Sequence, residues 1–126
     1  MAYVKSKIGD GITSGAQLHN FIKSHPKLDR AFSGIIAIKP YNMLKYLAAN
    51  PLKNNTFLIN NDKMHWMAIY RDKNGEYKEY DSYNRDMYPD IEEDKVNIMN
   101  VQGKAAPDSS DCGARVLAKM MNIFNI

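Results

Sequence analysis

Cysteine is nearly absent from this chain of 126 residues, where Cys112 is the only one. A single thiol excludes an internal disulfide and is too little for a zinc site built from thiolates. No apolar run approaches the ~20 residues that a membrane-spanning helix needs, and the N-terminus lacks the apolar segment of a signal peptide. The sequence therefore predicts a protein of a reducing compartment that is not secreted and has no membrane partner.

Other chemical signatures are missing as well. No glycine-rich phosphate loop, set of paired metal ligands or pair of catalytic carboxylates stands out. We therefore expect no cofactor or metal to be needed for chemistry. The length and the content of apolar residues, 44%, predict one domain over residues 1–126, with residues 1–12 as a loose N-terminal arm.

The net charge of +3 conceals an asymmetry between the two halves. Residues 1–63 hold nine Lys/Arg and three Asp, whereas residues 64–126 hold eight Lys/Arg and eleven Asp/Glu. The basic residues are scattered, which is typical of a solvated surface. The alternative is a basic face that contacts nucleic acid without sequence specificity.

Hydrophobic periodicity and capping signals predict an α+β domain with a small mixed or antiparallel sheet flanked by helices. Ser14 with Gln17 forms a capping-box pattern that opens a first helix, and His25-Pro26 closes it. The last helix begins near Cys112 and buries Val116, Leu117, Met120, Met121 and Phe124. A second helix is predicted from Pro40 to Asn50, and strands at 35–38 (or a buried turn), 56–60, 65–71, 76–82 and 96–102.

The loop between the strands at 65–71 and 76–82 decides whether two candidate residues can meet. A three-residue loop over 73–75, with Gly75 in the left-handed position of a bulge, pairs Met67 with Asp81. His65 then lies diagonally from Asp81 on the same face, at roughly 7–8 Å between backbones, within reach of a side-chain hydrogen bond. A two-residue loop would put them on opposite faces.

Cys112 is placed where a helix begins, and the positive end of a helix favours thiolate over thiol. Gly113 leaves room for a substrate backbone beside the sulfur. Asp111 would oppose a thiolate, so we expect its side chain to turn into the helix cap. Gln102 ends a predicted strand, and its amide could donate to an oxyanion together with the backbone N–H of Cys112.

Each of these residues has a commoner structural explanation when taken alone. A lone cysteine is more often a small buried hydrophobe, and Trp66 is a core residue by default. Three other acids compete with Asp81, but Asp62 and Asp72 fall in predicted loops and Asp86 lies beyond the strand. The histidines at 19 and 25 and the tyrosines at 77, 80, 83 and 88 are assigned to packing or to the surface.

Taken together, the motifs resemble the adenovirus-type cysteine proteases, the adenains, which are relatives of the SUMO deconjugases. The similarity covers roughly residues 14–124 and is closest to the compact forms in Polinton-type elements and small DNA viruses. The segments that carry it are Ser14–Lys23, Phe32-Ser33-Gly34, Phe57–Asn61, His65-Trp66-Met67-Ala68, Tyr80-Asp81-Ser82-Tyr83, Val101-Gln102-Gly103 and Asp111-Cys112-Gly113.

The resemblance implies a papain-like fold with adenain-type topology and a viral maturation endopeptidase. In that family His65 would be the general base, Asp81 its orienting acid, Gln102 the oxyanion donor and Cys112 the nucleophile. Substrates would be capsid or core precursors cut at small, Gly-containing sites, in the virion and in the host nucleus or cytoplasm. A monomer is expected.

The resemblance also bears on activation and on rival functions. The adenoviral enzyme is activated by DNA and by a disulfide-linked peptide; with Cys112 alone, the peptide link is not expected, whereas DNA stimulation is left open. One alternative function is removal of a ubiquitin-like modifier, for which this short chain has little spare surface. Another is a non-enzymatic DNA- or capsid-binding domain, against which the intact His, Asp, Gln and Cys argue.

Overall fold

The computed structural model describes residues 2–9, 11–62, 65–81, 98–101 and 111–126. Over these ranges the chain forms five helices, five strands and one 3-10 turn, which confirms the predicted α+β class. The elements are α1 (Ala2–Ile8), α2 (Gly15–Lys23), α3 (Pro26–Ala31), β1 (Phe32–Ile36), the 3-10 turn (Pro40–Asn42), α4 (Met43–Ala49), β2 (Thr56–Asp62), β3 (His65–Arg71), β4 (Tyr77–Tyr80), β5 (Ile98–Val101) and α5 (Cys112–Ile123).

The strands form one mixed sheet in the order β1-β2-β3-β4-β5. The outer pairs, β1 with β2 and β4 with β5, are parallel, whereas β2–β3 and β3–β4 are antiparallel. One face of the sheet, with Phe57 and Ala68, packs against residues of α1, α2, α3 and α5. The other face, with Leu58 and Ile69, packs against α4. Coverage on both faces explains why every residue from 65 to 70 is buried, without the alternation of a half-exposed strand.

The turn between β3 and β4 confirms the predicted bulged loop. Gly75 has φ of +82°, and its N–H donates to the Asp72 carbonyl at 3.1 Å. The N–H of Asp72 donates in turn to the carbonyl of Glu76 at 2.9 Å. Because Ala68 pairs with Tyr80, this register puts residue 67 opposite residue 81, as the three-residue loop requires.

The prediction of a loose N-terminal arm is wrong for residues 2–8, which form α1. Val4 is 1% exposed within the main core cluster, and the hydroxyl of Tyr3 lies 2.7 Å from Nε2 of His25. The helix ends at Ile8, and Gly9 follows it with φ of +87° and donates its N–H to the Lys5 carbonyl. Burial of Val4 stabilises a helix that is too short to form by propensity.

The helix boundaries elsewhere follow the capping signals. Both hydrogen bonds of the capping box between Ser14 and Gln17 are formed. His25-Pro26 ends α2 but also opens α3, with Pro26 at its first position, and this helix was not predicted. The next strand begins at Phe32, three residues before the predicted 35–38.

Candidate active site

His65 is the first residue of β3, and Asp81 directly follows β4, so the hairpin register places them on one face. Their side chains meet: Nε2 of His65 lies 2.5 Å from Oδ1 of Asp81. Both residues are buried, at 6% and 0% exposure. A carboxylate in this position fixes the orientation of the ring and stabilises its protonated form.

Cys112 reaches the same place from the other face of the sheet, as the first residue of α5. The backbone N–H of Trp66 donates to its Sγ at 3.5 Å, and the nearby ring of His65 helps to lower the pKa of the thiol. Nε2 of His65 faces Asp81, so Nδ1 is the ring nitrogen that could exchange a proton with the thiol. The imidazole thus lies between a carboxylate and a thiol, and Cys112, His65 and Asp81 form one chain of contacts.

The two titratable partners shift each other in the sense that favours an ion pair. Burial acts to raise the pKa of Cys112, but hydrogen bonds from His65 and from the Trp66 N–H outweigh it, so this pKa is lowered. Burial acts to lower the pKa of His65, but hydrogen bonds to Asp81 and Cys112 outweigh it, so this pKa is raised. Both shifts act in the direction of a thiolate–imidazolium pair.

Asp111 does not turn into the helix cap, which corrects the prediction made for it. It occupies the N-cap position of α5, but within the described structure its side chain makes no capping hydrogen bond. Its Oδ1 instead accepts from Nε of Arg115 at 2.8 Å, and its Oδ2 lies 3.0 Å from Nζ of Lys5. Two cations thus draw the carboxylate away from the orphan N–H groups of the helix.

Gly113 is required for a reason other than the predicted approach of substrate. A Cβ at this position would lie 2.8 Å from Cβ and 2.9 Å from Oγ1 of Thr13, and 3.3 Å from Cδ1 of Trp66. The carbonyl of Thr13 also accepts from the indole N–H of Trp66 at 2.8 Å. The segment before α2 therefore packs between the start of β3 and the start of α5, and only glycine fits there.

Of the acids that competed with Asp81 as the partner of His65, one lies in a different element from the one predicted. Asp62 lies in β2, directly opposite His65, so its assignment to a loop is wrong. Asp72 lies in the β3–β4 turn as predicted, where its Oδ1 accepts from the N–H groups of Asn74 and Glu76. Of these acids, Asp81 makes the contact with the imidazole.

Several predicted residues lie outside the described residues. Gln102, the candidate oxyanion donor, is one of them, as are Asp86, Tyr83 and Tyr88. Of the remaining tyrosines, Tyr77 and Tyr80 are buried, as expected.

Two residues of the site were missed in the sequence. Lys5 was assigned to a loose arm, and a lysine that pairs with an acid 106 positions away leaves no local pattern. Thr13 precedes the capping box by one residue, which indicates only that the chain turns there. Its hydroxyl is buried and finds no hydrogen-bond partner among the described residues.

Comparison with known proteins adds nothing to this geometry: the chain matches no protein-family model, no curated protein and no solved structure. Among the residues that the structure covers, no group of three or more His, Cys, Asp or Glu could hold a metal ion. In the same residues, no helix has both the length and the apolar character needed to cross a bilayer.

Proposed function

We propose that this protein is a cysteine endopeptidase with Cys112 as nucleophile, His65 as general base and acid, and Asp81 as the acid that orients the imidazole. The observation that carries the proposal is the placement of one buried imidazole between a carboxylate and the only thiol of the chain. A merely structural cysteine needs neither a base nor a backbone donor at its sulfur. The three groups fill the roles of nucleophile, base and orienter that define a catalytic triad.

The mechanism follows from where the protons lie. The Cys112 thiolate attacks the scissile carbonyl, and its former proton, held on the His65 ring, passes to the leaving amine as the acyl-enzyme forms. A water molecule then attacks the thioester carbonyl, and His65 removes its proton. The sulfur leaves as a thiolate while His65 keeps the proton taken from water, which restores the ion pair, and Asp81 stabilises the imidazolium whenever the ring is protonated.

Oxyanion stabilisation is assigned to two donors. The backbone N–H of Cys112 belongs to the first turn of α5, where N–H groups have no acceptor within the helix. The side-chain amide of Gln102 is the second donor, by resemblance to the adenain motif Val101-Gln102-Gly103. Two neutral donors would stabilise the tetrahedral intermediate without competing for the proton on His65.

The choice of substrate rests on the resemblance to adenains. On that basis we propose a papain-like fold with adenain-type topology and a role in processing viral structural precursors during virion maturation. The support is the order His65, Asp81, Gln102, Cys112 along the chain, together with a mixed sheet and a nucleophile at a helix start. DNA stimulation through the basic first half of the chain belongs to the same proposal.

The test combines thiol labelling with turnover. Because Cys112 is the only cysteine, iodoacetamide labelling read by intact mass reports on this thiol alone. We expect stoichiometric labelling near neutral pH, and cleavage of a fluorogenic peptide library that is lost in Cys112→Ala. A Cys112 thiol that is inert at neutral pH, or peptide turnover that survives Cys112→Ala, would contradict the proposal. Cleavage of ubiquitin-like-modifier conjugates without cleavage of peptides would favour the deconjugase alternative.

A further inference from the structure

The nucleophile has an acid as its immediate neighbour along the chain. The side chain of Asp111 is only 9% exposed, so its charge is poorly screened by water. Repulsion from the carboxylate of this adjacent residue would disfavour the thiolate on which the proposed function depends. The structure must therefore offset its charge.

Two cations contact Asp111 on different oxygens. Arg115 lies one turn further along α5 and is a local i, i+4 partner. Lys5 comes from α1, and its Nζ lies 3.0 Å from Oδ2 with 29% of its side chain exposed. Of these two contacts, the one to Lys5 is the tertiary contact, and it joins the N-terminal helix to the start of the nucleophile's helix.

The helix that carries Lys5 is held in place independently of this ion pair. Val4 is 1% exposed in the main core cluster, and Tyr3 contacts both Nε2 of His25 and the ring of Phe21. The backbone that bears Lys5 is therefore already ordered, which reduces the entropy lost when the lysine pairs with Asp111. An ion pair whose backbone is already ordered can contribute more to stability than a pair between mobile surface side chains.

We propose that Lys5 is a positioning residue of the candidate site: from α1 it neutralises the Asp111 carboxylate, which would otherwise repel the Cys112 thiolate. This inference rests on the proposed function, because it concerns the same sulfur. Among the described residues, the other charged or titratable groups near the site are His65 of β3, Asp62 of β2, Asp81 and Tyr80 from the β4 segment, and Arg115 of α5. Replacing Lys5 changes none of these side chains.

The experiment measures the pH dependence of iodoacetamide labelling of Cys112 in the full chain. Lys5→Gln should move the midpoint to higher pH, so that labelling on the acid side of the midpoint is about three-fold slower than in the wild type. Lys5→Arg should restore the wild-type profile. Lys7→Gln, an exposed lysine of the same helix that contacts the Tyr3 ring, is the matched control and should not shift the midpoint.

A double-mutant cycle shows whether Lys5 acts through Asp111. In an Asp111→Asn background, Lys5→Gln should leave the midpoint unchanged, because there is no carboxylate left to neutralise. If Lys5→Gln does not fold by circular dichroism, Lys5→Met keeps the aliphatic stem and removes only the charge. A wild-type midpoint in both variants, or an equal shift with and without Asp111, would overturn the inference. A wild type with no reactive thiolate would instead reject the proposed function itself.

Discussion

The imidazole of His65 contacts Asp81 through Nε2, and this contact can be removed without touching the sulfur. Asp81→Asn replaces a carboxylate with an amide of equal size. We expect kcat/KM for a cleavable peptide to fall on the order of 100-fold or more, because the imidazolium loses its counter-ion and its orientation.

The pH dependence of activity should also change in the Asp81→Asn variant, and the direction of the change can be predicted. The proposed ion pair requires a pH above the pKa of Cys112, which is lowered, and below the pKa of His65, which is raised. Removing Asp81 takes away an interaction that raises the pKa of His65, so the high-pH limit of activity should move down. Asp29→Asn, which alters only the surface pair with Lys23, should keep the wild-type profile. An unchanged high-pH limit in Asp81→Asn would contradict the assignment.

The contact between Gly113 and Thr13 makes a prediction about stability. Gly113→Ala places a Cβ 2.8 Å from the Thr13 side chain, so the free energy of unfolding should fall by about 1–3 kcal/mol despite the better helix propensity of alanine. Urea denaturation measures the change. Gly15→Ala is the matched control, since its Cβ would meet Trp66 at an ordinary 3.6 Å and should change stability by less than about 0.5 kcal/mol. Equal effects in the two variants would disprove the packing argument.

Contacts between site residues could be predicted from the sequence where local geometry determines them. The contact between His65 and Asp81 followed from the loop length and from Gly75, because a hairpin register is a local property. The partners of Asp111 could not be found this way, since both a cap and an ion pair satisfy a carboxylate and only the tertiary fold supplies Lys5.

At the scale of elements, α1 is the helix whose stability depends most on one residue. Val4 is its only buried side chain among the described residues, so Val4→Ala should lower the free energy of unfolding by about 1–3 kcal/mol. Thermal and urea unfolding measure this loss. Lys7→Ala, on the exposed side of the same helix, should have little effect. A neutral Val4→Ala would mean that α1 is not docked in solution.

The β3–β4 turn depends on one backbone conformation. Gly75 has φ of +82°, which L-residues adopt at a cost, so Gly75→Ala should destabilise the fold by about 1–2 kcal/mol. Gly11→Ala is the control, because a Cβ there would meet no heavy atom within 4 Å in the described structure and φ is not in the left-handed region. Differential scanning calorimetry should separate the two variants. Equal melting temperatures would contradict the bulged loop.

Elements were predictable where pattern and capping agreed, as for α2, α4, α5 and the central hairpin. Two short helices were not. The seven residues of α1 bury one side chain and are followed by glycines at positions 9 and 11, so their pattern resembles that of a loop. In α3, the same proline that ends α2 starts the next helix, and only the ending was recognised.

At the scale of the whole molecule, Trp66 joins the hydrogen-bond network of the site to the main core cluster. It is the only tryptophan, it is 7% exposed, and its indole donates to Thr13. We expect its fluorescence and far-UV circular dichroism to show one urea transition with a common midpoint, since both core clusters share the sheet. Two separated midpoints would show that the faces of the sheet unfold independently.

The spacing of the site along the chain also bears on how the protein folds. His65 and Asp81 are 16 positions apart and are brought together by one tight turn, whereas the sulfur bonds to the Trp66 amide across 46 positions. Contacts between nearby segments form sooner than contacts that close a long loop. During refolding, the base and its acid are therefore expected to assemble before the nucleophile docks. Cys112 would then become reactive only late in folding, when the tertiary structure already protects the chain from cleavage by another copy of itself.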